Sequence, residues 1–537
     1  MLRFAFVLVA SAVVGFAQDV RRMEEIAASH AANQRFMGSV LVAKDDVVLF
    51  ERSYGWANIE WSIPNTASTR FRIGSVTKQF TAAAILLLEE RGNLALEDPV
   101  TKHIPDAPEA WQGVKLYHLL THTSGIPSFT SAPEYGTFKL SATTAAKTVE
   151  QFRAKPLDFQ PGDKFSYSNS GYVLLGYVVE RVSGQSYASF VDEHIFKRLG
   201  MGDTGLDSST DIITRRASGY VPGGTGIANA PFIDMTVPHG AGALYSTPRD
   251  LWKWQQGLYG HKLLSAASVE KMTTVEKSNY ALGVTSQKVG DRTAVSHGGG
   301  IEGFNSHLTY FPDEKLTVAV LANVNGPSAT ELAQQLSKIA FGESVVLTAE
   351  RKEIEVPAGK LSDYVGTYQL NPRIKNMIRL TDGRLTTQLS GQSAFPLFAE
   401  SESKFFLKIV DAQVEFIREN GKVTHLLQHQ NGRTQKAEKI SDTVVERKAI
   451  ELPRVTLGKY AGTYEITPTF ALVVTLEGDQ LMTQATGQPK LPVFAESETK
   501  FFLREVDAQL EFFTNDKGAV THAVLYQGGR DMRATRK

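Results

Sequence analysis

In VTKQFTAAAILLLEERGNL (Val76–Leu94) apolar residues up to Leu88 fall on every side of a helical projection rather than along one stripe. That pattern predicts a helix buried all round, and Gly92 supplies its C-terminal stop. ATELAQQLSKIAF (Ala329–Phe341) has a single apolar stripe and predicts an amphipathic helix. Two stretches alternate with strand periodicity. GSVLVAKDDVVLFERSYG (Gly38–Gly55) reads as strand, Asp-Asp turn, strand, and SHLTYFPDEKLTVAVLAN (Ser306–Asn323) as a second hairpin. The patterns between these hairpins are mostly helical or loop-like. The economical architecture is an α+β domain: an antiparallel sheet built from both ends of the segment, flanked by helices, with a helical insertion.

The last third repeats itself. LSDYVGTYQL (Leu361–Leu370) returns as LGKYAGTYEI (Leu457–Ile466), and PLFAESESKFFLKIVDAQVEF (Pro396–Phe416) as PVFAESETKFFLREVDAQLEF (Pro492–Phe512), both 96 residues on. A period this long signals a duplicated domain rather than a solenoid. Short alternating runs separated by Gly, Asn and Asp turns predict a small antiparallel β-barrel in each copy. The expected division is residues 1–17, 18–345 for the first domain, and 346–440 and 441–537 for the two repeats.

Length, charge and cysteine content narrow the function. A chain of 537 residues exceeds one core. Lys+Arg and Asp+Glu number 57 each, and no basic run stands out, which argues against a nucleic-acid partner. Arg3, the apolar stretch Phe4–Val14 and the small residues Gly15 and Ala17 form the three-part pattern of a signal peptide cleaved after Ala17. No other segment has comparable apolar length, so the mature chain is expected to lack a membrane span and to be periplasmic or secreted. It has no cysteine, which leaves stability to packed cores and excludes thiol nucleophiles and thiolate metal sites.

Candidate chemistry begins at Ser75 and Lys78. Ser-x-x-Lys also occurs at Ser268/Lys271, Ser401/Lys404 and Ser497/Lys500, so context must choose among the four. The last two pairs fall in predicted strands or their approach turns, where i and i+3 point to opposite faces. Ser75 alone opens a helix predicted to be buried, with Lys78 one turn along the same face. A serine hydroxyl needs a neighbour to take its proton. Burial and the positive helix end both disfavour an ammonium there, which turns lysine into a usable base. The amides of the first helical turn have no intrahelical partner, so that of Ser75 is available to an oxyanion.

Tyr167-Ser168-Asn169 before an apolar helix and His297-Gly298-Gly299-Gly300 after a short apolar run complete a set. With LYHLLTHTSGIP (Leu116–Pro127), LGMGDTG (Leu199–Gly205) and AGALYSTPRDLWKW (Ala241–Trp254), this order and spacing resembles the serine β-lactamase and penicillin-binding-protein superfamily on its class C side. That branch also holds esterases, D-aminopeptidases and D-Ala-D-Ala carboxypeptidases. The resemblance implies Ser75 as acylated nucleophile, Lys78 as its proton acceptor or relay, and Tyr167 as general base and donor to the leaving group. Asn169 would hold Lys78 and the substrate amide. The backbone N–H groups of Ser75 and Gly300 would form the oxyanion hole, with His297, Gly298 and Gly299 along the substrate. Penicillin-recognising members usually carry Lys-Thr-Gly where this chain has His297-Gly298-Gly299. A group with a pKa near 6.5 would make attraction for a substrate carboxylate conditional on pH, and the threonine hydroxyl is absent. The expected activity is therefore an esterase or D-aminopeptidase type of serine hydrolase acting on a small-molecule or peptide substrate. A β-lactamase or carboxypeptidase is the alternative, and a non-catalytic ligand-binding protein the further one. The repeats are expected to shape the active-site mouth or to bind cell-wall or other polymer. His118 and His122 stand at zinc-protease spacing without the glutamate that motif requires. No metal and no cofactor is implied.

Overall fold

The computed structural model describes residues 19–537 apart from 33–34, 105, 224–225, 373, 431–432, 445–446 and 468–469. The signal-peptide segment expected at 1–17 lies outside the described residues. The chain forms two compact units, divided between Val345 and Val346.

In the first unit, β1 (Gly38–Lys44), β2 (Val47–Tyr54), β3 (Thr285–Val289), β4 (Arg292–Ile301), β5 (Phe304–Phe311) and β6 (Leu316–Ala322) make one antiparallel sheet in the order β3-β4-β5-β6-β1-β2. Both predicted hairpins are present, and Gly38 of β1 pairs with Ala322 of β6, so the two ends of the segment meet at the centre of the sheet. Asp45 sits in the turn of the first hairpin at φ 52°, the left-handed conformation that Asp tolerates. Every residue of β6 is buried, as in a strand covered on both faces.

Four helices matter for the site: α1 (Thr77–Glu90), α2 (Asn169–Ser183), α3 (Pro248–Tyr259) and α4 (Ser328–Ala340). Helices α3 and α4 pack against β6. Every α1 residue from Thr77 to Leu88 is buried, in keeping with its all-round apolar pattern. Arg91 ends the helix and Gly92 follows at φ 70°. The one-turn helix His239–Gly242 packs against α1 and α2. Its approach requires a glycine, since a Cβ on Gly240 would stand 2.8 Å from the carbonyl oxygen of Tyr172.

In the second unit, the later repeat closes an eight-stranded barrel from Gly462–Thr467 to Arg530–Arg536, its strands following chain order and the last pairing with the first at Tyr464 and Arg536. The earlier repeat has the same strand sequence, except that its fourth strand is split into Phe395–Pro396 and Phe398–Ala399. Between them the Leu397 amide still donates to the Leu385 carbonyl at 2.8 Å. The two cores match closely. Tyr364 stacks on Phe416 at 4.3 Å and Tyr460 on Phe512 at 4.5 Å. The Tyr368 and Tyr464 hydroxyls donate to the Tyr364 and Tyr460 carbonyls, each at 2.8 Å. The decoy serines are turn formers: Ser401 and Ser497 accept from the backbone amides of Lys404 and Lys500 at 3.0 and 3.1 Å.

Phe512 is 1% exposed and contacts Tyr460, Tyr464 and Phe501. Phe512→Ala is expected to cost the later barrel about 3–5 kcal/mol through lost contacts and a residual cavity. The check is an earlier denaturant midpoint in circular dichroism; an unmoved midpoint would show that this stack does not support the barrel.

Candidate active site

Ser75 lies in a 3₁₀ turn, Gly74–Val76, that leads directly into α1. The nucleophile candidate thus precedes the helix instead of opening it. The cause is local: Gly74 adopts φ 50°, and the Ile73 carbonyl accepts from the Ser306 hydroxyl of β5 at 2.7 Å. The turn rests against β4 where that strand's other neighbour has ended. Strand β3 pairs with β4 only from Arg292 to Ser296, leaving the stretch from His297 onward without it. A Cβ on Gly299 would stand 2.0 Å from the Ile73 carbonyl, and one on Gly74 would stand 2.9 Å from the Gly300 amide nitrogen. The glycines of His297-Gly-Gly-Gly therefore let strand and turn touch, and they bring the Gly300 amide beside the Ser75 turn.

Lys78 is fully buried, and its Nζ has three neighbours. It donates to Asn169 Oδ1 at 2.9 Å and to the Ala241 carbonyl at 2.7 Å, and it lies 3.1 Å from Ser75 Oγ. Burial holds its pKa well below the ordinary lysine value. As an amine, it gives its two N–H groups to the two carbonyl-type oxygens, which leaves the lone pair for the serine hydroxyl. Both acceptors are fixed. Asn169 is the first residue of α2, its amide donates to Ser128 Oγ at 3.1 Å, and its Nδ2 donates to Thr130 Oγ1 at 3.1 Å. The Ala241 carbonyl is held over the lysine by two hydroxyls of α1. Thr81 donates to the Gly240 carbonyl at 2.6 Å, and Thr77 accepts from the Leu244 amide at 3.2 Å.

Tyr167 stands in the loop before α2, with its ring centroid 4.9 Å from Lys78 Nζ. Although 39% of its surface is exposed, its phenol end is enclosed and meets Ser75. Desolvation pushes its pKa up, only partly offset by the Ser75 hydrogen bond. It is a neutral phenol at physiological pH. Ser75, Lys78, Tyr167 and Asn169 thus converge on one point, with Gly300 beside them.

His297 differs from the sequence expectation of a pH-conditional cation. Its Nδ1 lies 2.6 Å from the Gly298 carbonyl, an acceptor only, so Nδ1 carries the hydrogen and Nε2 accepts from the Tyr280 hydroxyl at 3.0 Å. Burial, helped by nearby Lys78, pushes its pKa down to about 3. The ring is neutral, and both nitrogens are engaged within the protein.

Of the remaining pair, Ser268 lies in the helix Ala266–Thr273 and accepts no bond from Lys271, whose Nζ pairs with Glu89 at 2.8 Å. The Ala241 carbonyl, Thr130 and Tyr280 were not legible as site residues. Ala241 acts through its backbone, and the other two gain their roles only from long-range packing.

A family model described as Beta-lactamase matches residues 22–340. The chain belongs to the beta-lactamase family. This membership makes it a serine hydrolase by descent, on the branch of penicillin-binding proteins and D-amino acid amidases. Residues 350–441 and 446–536 each match a domain of unknown function, DUF3471. Penicillin-binding protein 4* of Bacillus subtilis (strain 168) is 31% identical over 412 residues, which cover 71% of this chain and 90% of that protein. Among solved structures, the octameric penicillin-binding protein homologue from Pyrococcus abyssi superposes with a TM-score of 0.58 at 27% identity, covering 79% of this chain and 99% of that one. The D-amino acid amidase from Ochrobactrum anthropi SV3, complexed with L-phenylalanine amide, gives 0.54 at 25% identity, covering 60% of this chain and 99% of that one. Within this beta-lactamase-family domain, no group of three or more His, Asp or Glu side chains among the described residues could hold a metal ion.

The buried histidines tie this site to stability. His297, His307 and His122 all have pKa values lowered by burial, the first two to about 3 and about 4. Each binds its proton less readily folded than unfolded. Stability should therefore fall as pH drops below the ordinary histidine value of 6.5, and for His297 the fall should continue to about 3. His297→Gln is expected to reduce that slope by about 1.4 kcal/mol per pH unit, one proton's worth, in denaturant titrations across the window. An unchanged slope would mean that His297 is protonated in the folded state.

Proposed function

We propose that the chain is an exported serine hydrolase that transfers the acyl group of a neutral ester or amide, D-aminoacyl derivatives included, first to Ser75 and then to water. The observation that carries this reading is the Lys78 amine, dry and committed to two carbonyl oxygens, 3.1 Å from the Ser75 hydroxyl. Lys78 Nζ takes the Ser75 proton as Oγ attacks the acyl carbon. The carbonyl electron pair moves onto oxygen, held by the backbone N–H groups of Ser75 and Gly300. Collapse breaks the bond to the leaving alcohol or amine, which receives a proton through Tyr167. Because desolvation keeps Tyr167 a phenol, it acts as proton donor and relay, while the first acceptor is Lys78. Water then attacks the acyl-enzyme carbon by the reverse proton path and restores Ser75. Asn169 holds Lys78 and presents its amide to the substrate.

The preference for neutral substrates rests on His297. A neutral ring with both nitrogens engaged, followed by three glycines, offers no charged anchor for a substrate carboxylate. Likeness to a D-amino acid amidase supports the D-aminoacyl class, and likeness to penicillin-binding protein 4* keeps β-lactams and D-Ala-D-Ala peptides as the competing class.

Ser75→Ala should abolish both turnover and fluorophosphonate labelling with the fold retained. Wild-type hydrolysis by that variant would refute the assignment, and fluorophosphonate labelling of the wild type no stronger than that of the variant would favour a non-catalytic binding role. A panel of p-nitrophenyl esters, D- and L-amino acid p-nitroanilides, nitrocefin and a D-Ala-D-Ala peptide should give turnover with neutral esters or D-aminoacyl anilides and little with the last two. His297→Lys is expected to raise kcat/KM for the carboxylate-bearing substrates about tenfold, the size of a charge-assisted hydrogen bond. No change would show that this position does not set selectivity.

A further inference from the structure

Tyr167 must hold its phenol at the Ser75 hydroxyl, yet it lies in a loop outside any hydrogen-bonded element. Loops position chemistry less well than helices and strands unless something braces them. The brace is visible in the contacts of a single residue of the THTSG stretch. The His122 carbonyl accepts from the Ser166 amide at 2.9 Å, and His122 Nδ1 accepts from the Ser168 amide at 3.1 Å. These are the two amides on either side of Tyr167. The imidazole itself lies against the Tyr167 ring, centroids 4.2 Å apart at 38°. We infer that His122 is a positioning residue for Tyr167, gripping the loop before and after it and supporting its ring from behind.

Three further observations fit this assignment. Accepting at Nδ1 puts the imidazole hydrogen on Nε2, which is buried and has no hydrogen-bond partner among the described residues. The ring therefore has no outlet for a proton and works by geometry. His122 itself is held in the left-handed conformation, φ 57°, at a cost of about 1–2 kcal/mol for a residue with a Cβ. Such a conformation persists only where its surroundings over-determine it. Here they do: the Thr123 amide donates to the His118 carbonyl at 2.9 Å, and the Thr121 and Thr123 hydroxyls meet at 2.9 Å. The strained turn is thus rigid, and its rigidity is passed to the loop carrying the phenol.

This inference rests on the proposed role of Tyr167, and its test separates the two. His122→Gly keeps the backbone grip on Ser166, relieves the strain and removes only the ring. His122→Asn tolerates the same φ and restores an acceptor near Nδ1. With p-nitrophenyl acetate and the best anilide of the panel, His122→Gly should lower kcat about 10- to 100-fold, as a displaced reacting group does, with KM within about threefold. His122→Asn should recover at least half of that loss on a logarithmic scale, and thermal melts of both variants should show a folded protein. Wild-type kcat in His122→Gly would overturn the inference. So would a loss that Asn does not rescue and that follows the melting temperature. If Tyr167→Phe turns over like wild type, the reading of Tyr167 fails, whatever the His122 variants do.

Discussion

The organisation of the first unit follows from one amine kept out of water. A lysine at the surface is an ammonium and cannot take a proton from serine. In the proposed mechanism Lys78 serves as a base, a role open to it only because it sits within a helix with no solvent face, from Thr77 to Leu88. Burying that group opposes folding by several kcal/mol, so the rest of α1 must be apolar enough to offset it. The same burial requires that the amine's hydrogens find acceptors. They come from two distant places, Asn169 at the start of α2 and Ala241 in the turn that Thr77 and Thr81 hold. Removing water from Lys78 therefore dictates the packing of α1, α2 and the Gly240 turn together.

A second consequence is that the site is electrically quiet. Lys78, His122, His297 and Tyr167 are each driven toward their neutral forms, chiefly by desolvation. They also reinforce one another, since a charge on Lys78 would disfavour one on His297 or His122. In such surroundings the oxyanion of a tetrahedral intermediate would form near the Lys78 ammonium that has just taken the Ser75 proton, and ammonium and backbone amides would act on it with little solvent screening. The same quietness works against binding a carboxylate in the ground state. In the proposed mechanism, selectivity for neutral acyl donors and stabilisation of an oxyanion would thus both result from one low-polarity environment.

Much of the fold was legible because its signals are periodic. The two hairpins, the α4 stripe and the all-round burial of α1 each follow from spacing, and the duplication from a constant offset. Less was legible where a contact depends on backbone or on distant packing. The Ala241 carbonyl carries no side-chain signature. His122 shows in sequence only as half of an unconvincing metal spacing, while in the fold it grips two amides 44 and 46 residues away. For His297 a model-compound pKa misled, because nothing local reveals that Tyr280 and the Gly298 carbonyl occupy both ring nitrogens.

The four Ser-x-x-Lys pairs show what separates chemistry from spacing. Ser401 and Ser497 spend their hydroxyls on the amides of the very lysines that complete the pattern, so identical spacing yields a turn. Lys271 is half-exposed and gives its amine to the Glu89 carboxylate instead of to Ser268. Only Lys78 has both a dry environment and acceptors placed to orient its lone pair. Context was readable at Ser75 because a long apolar run surrounds the lysine, and such a run is the one sequence-level trace that desolvation leaves. Spacing brings a hydroxyl and an amine within reach; the solvent they have lost determines whether a proton can pass between them.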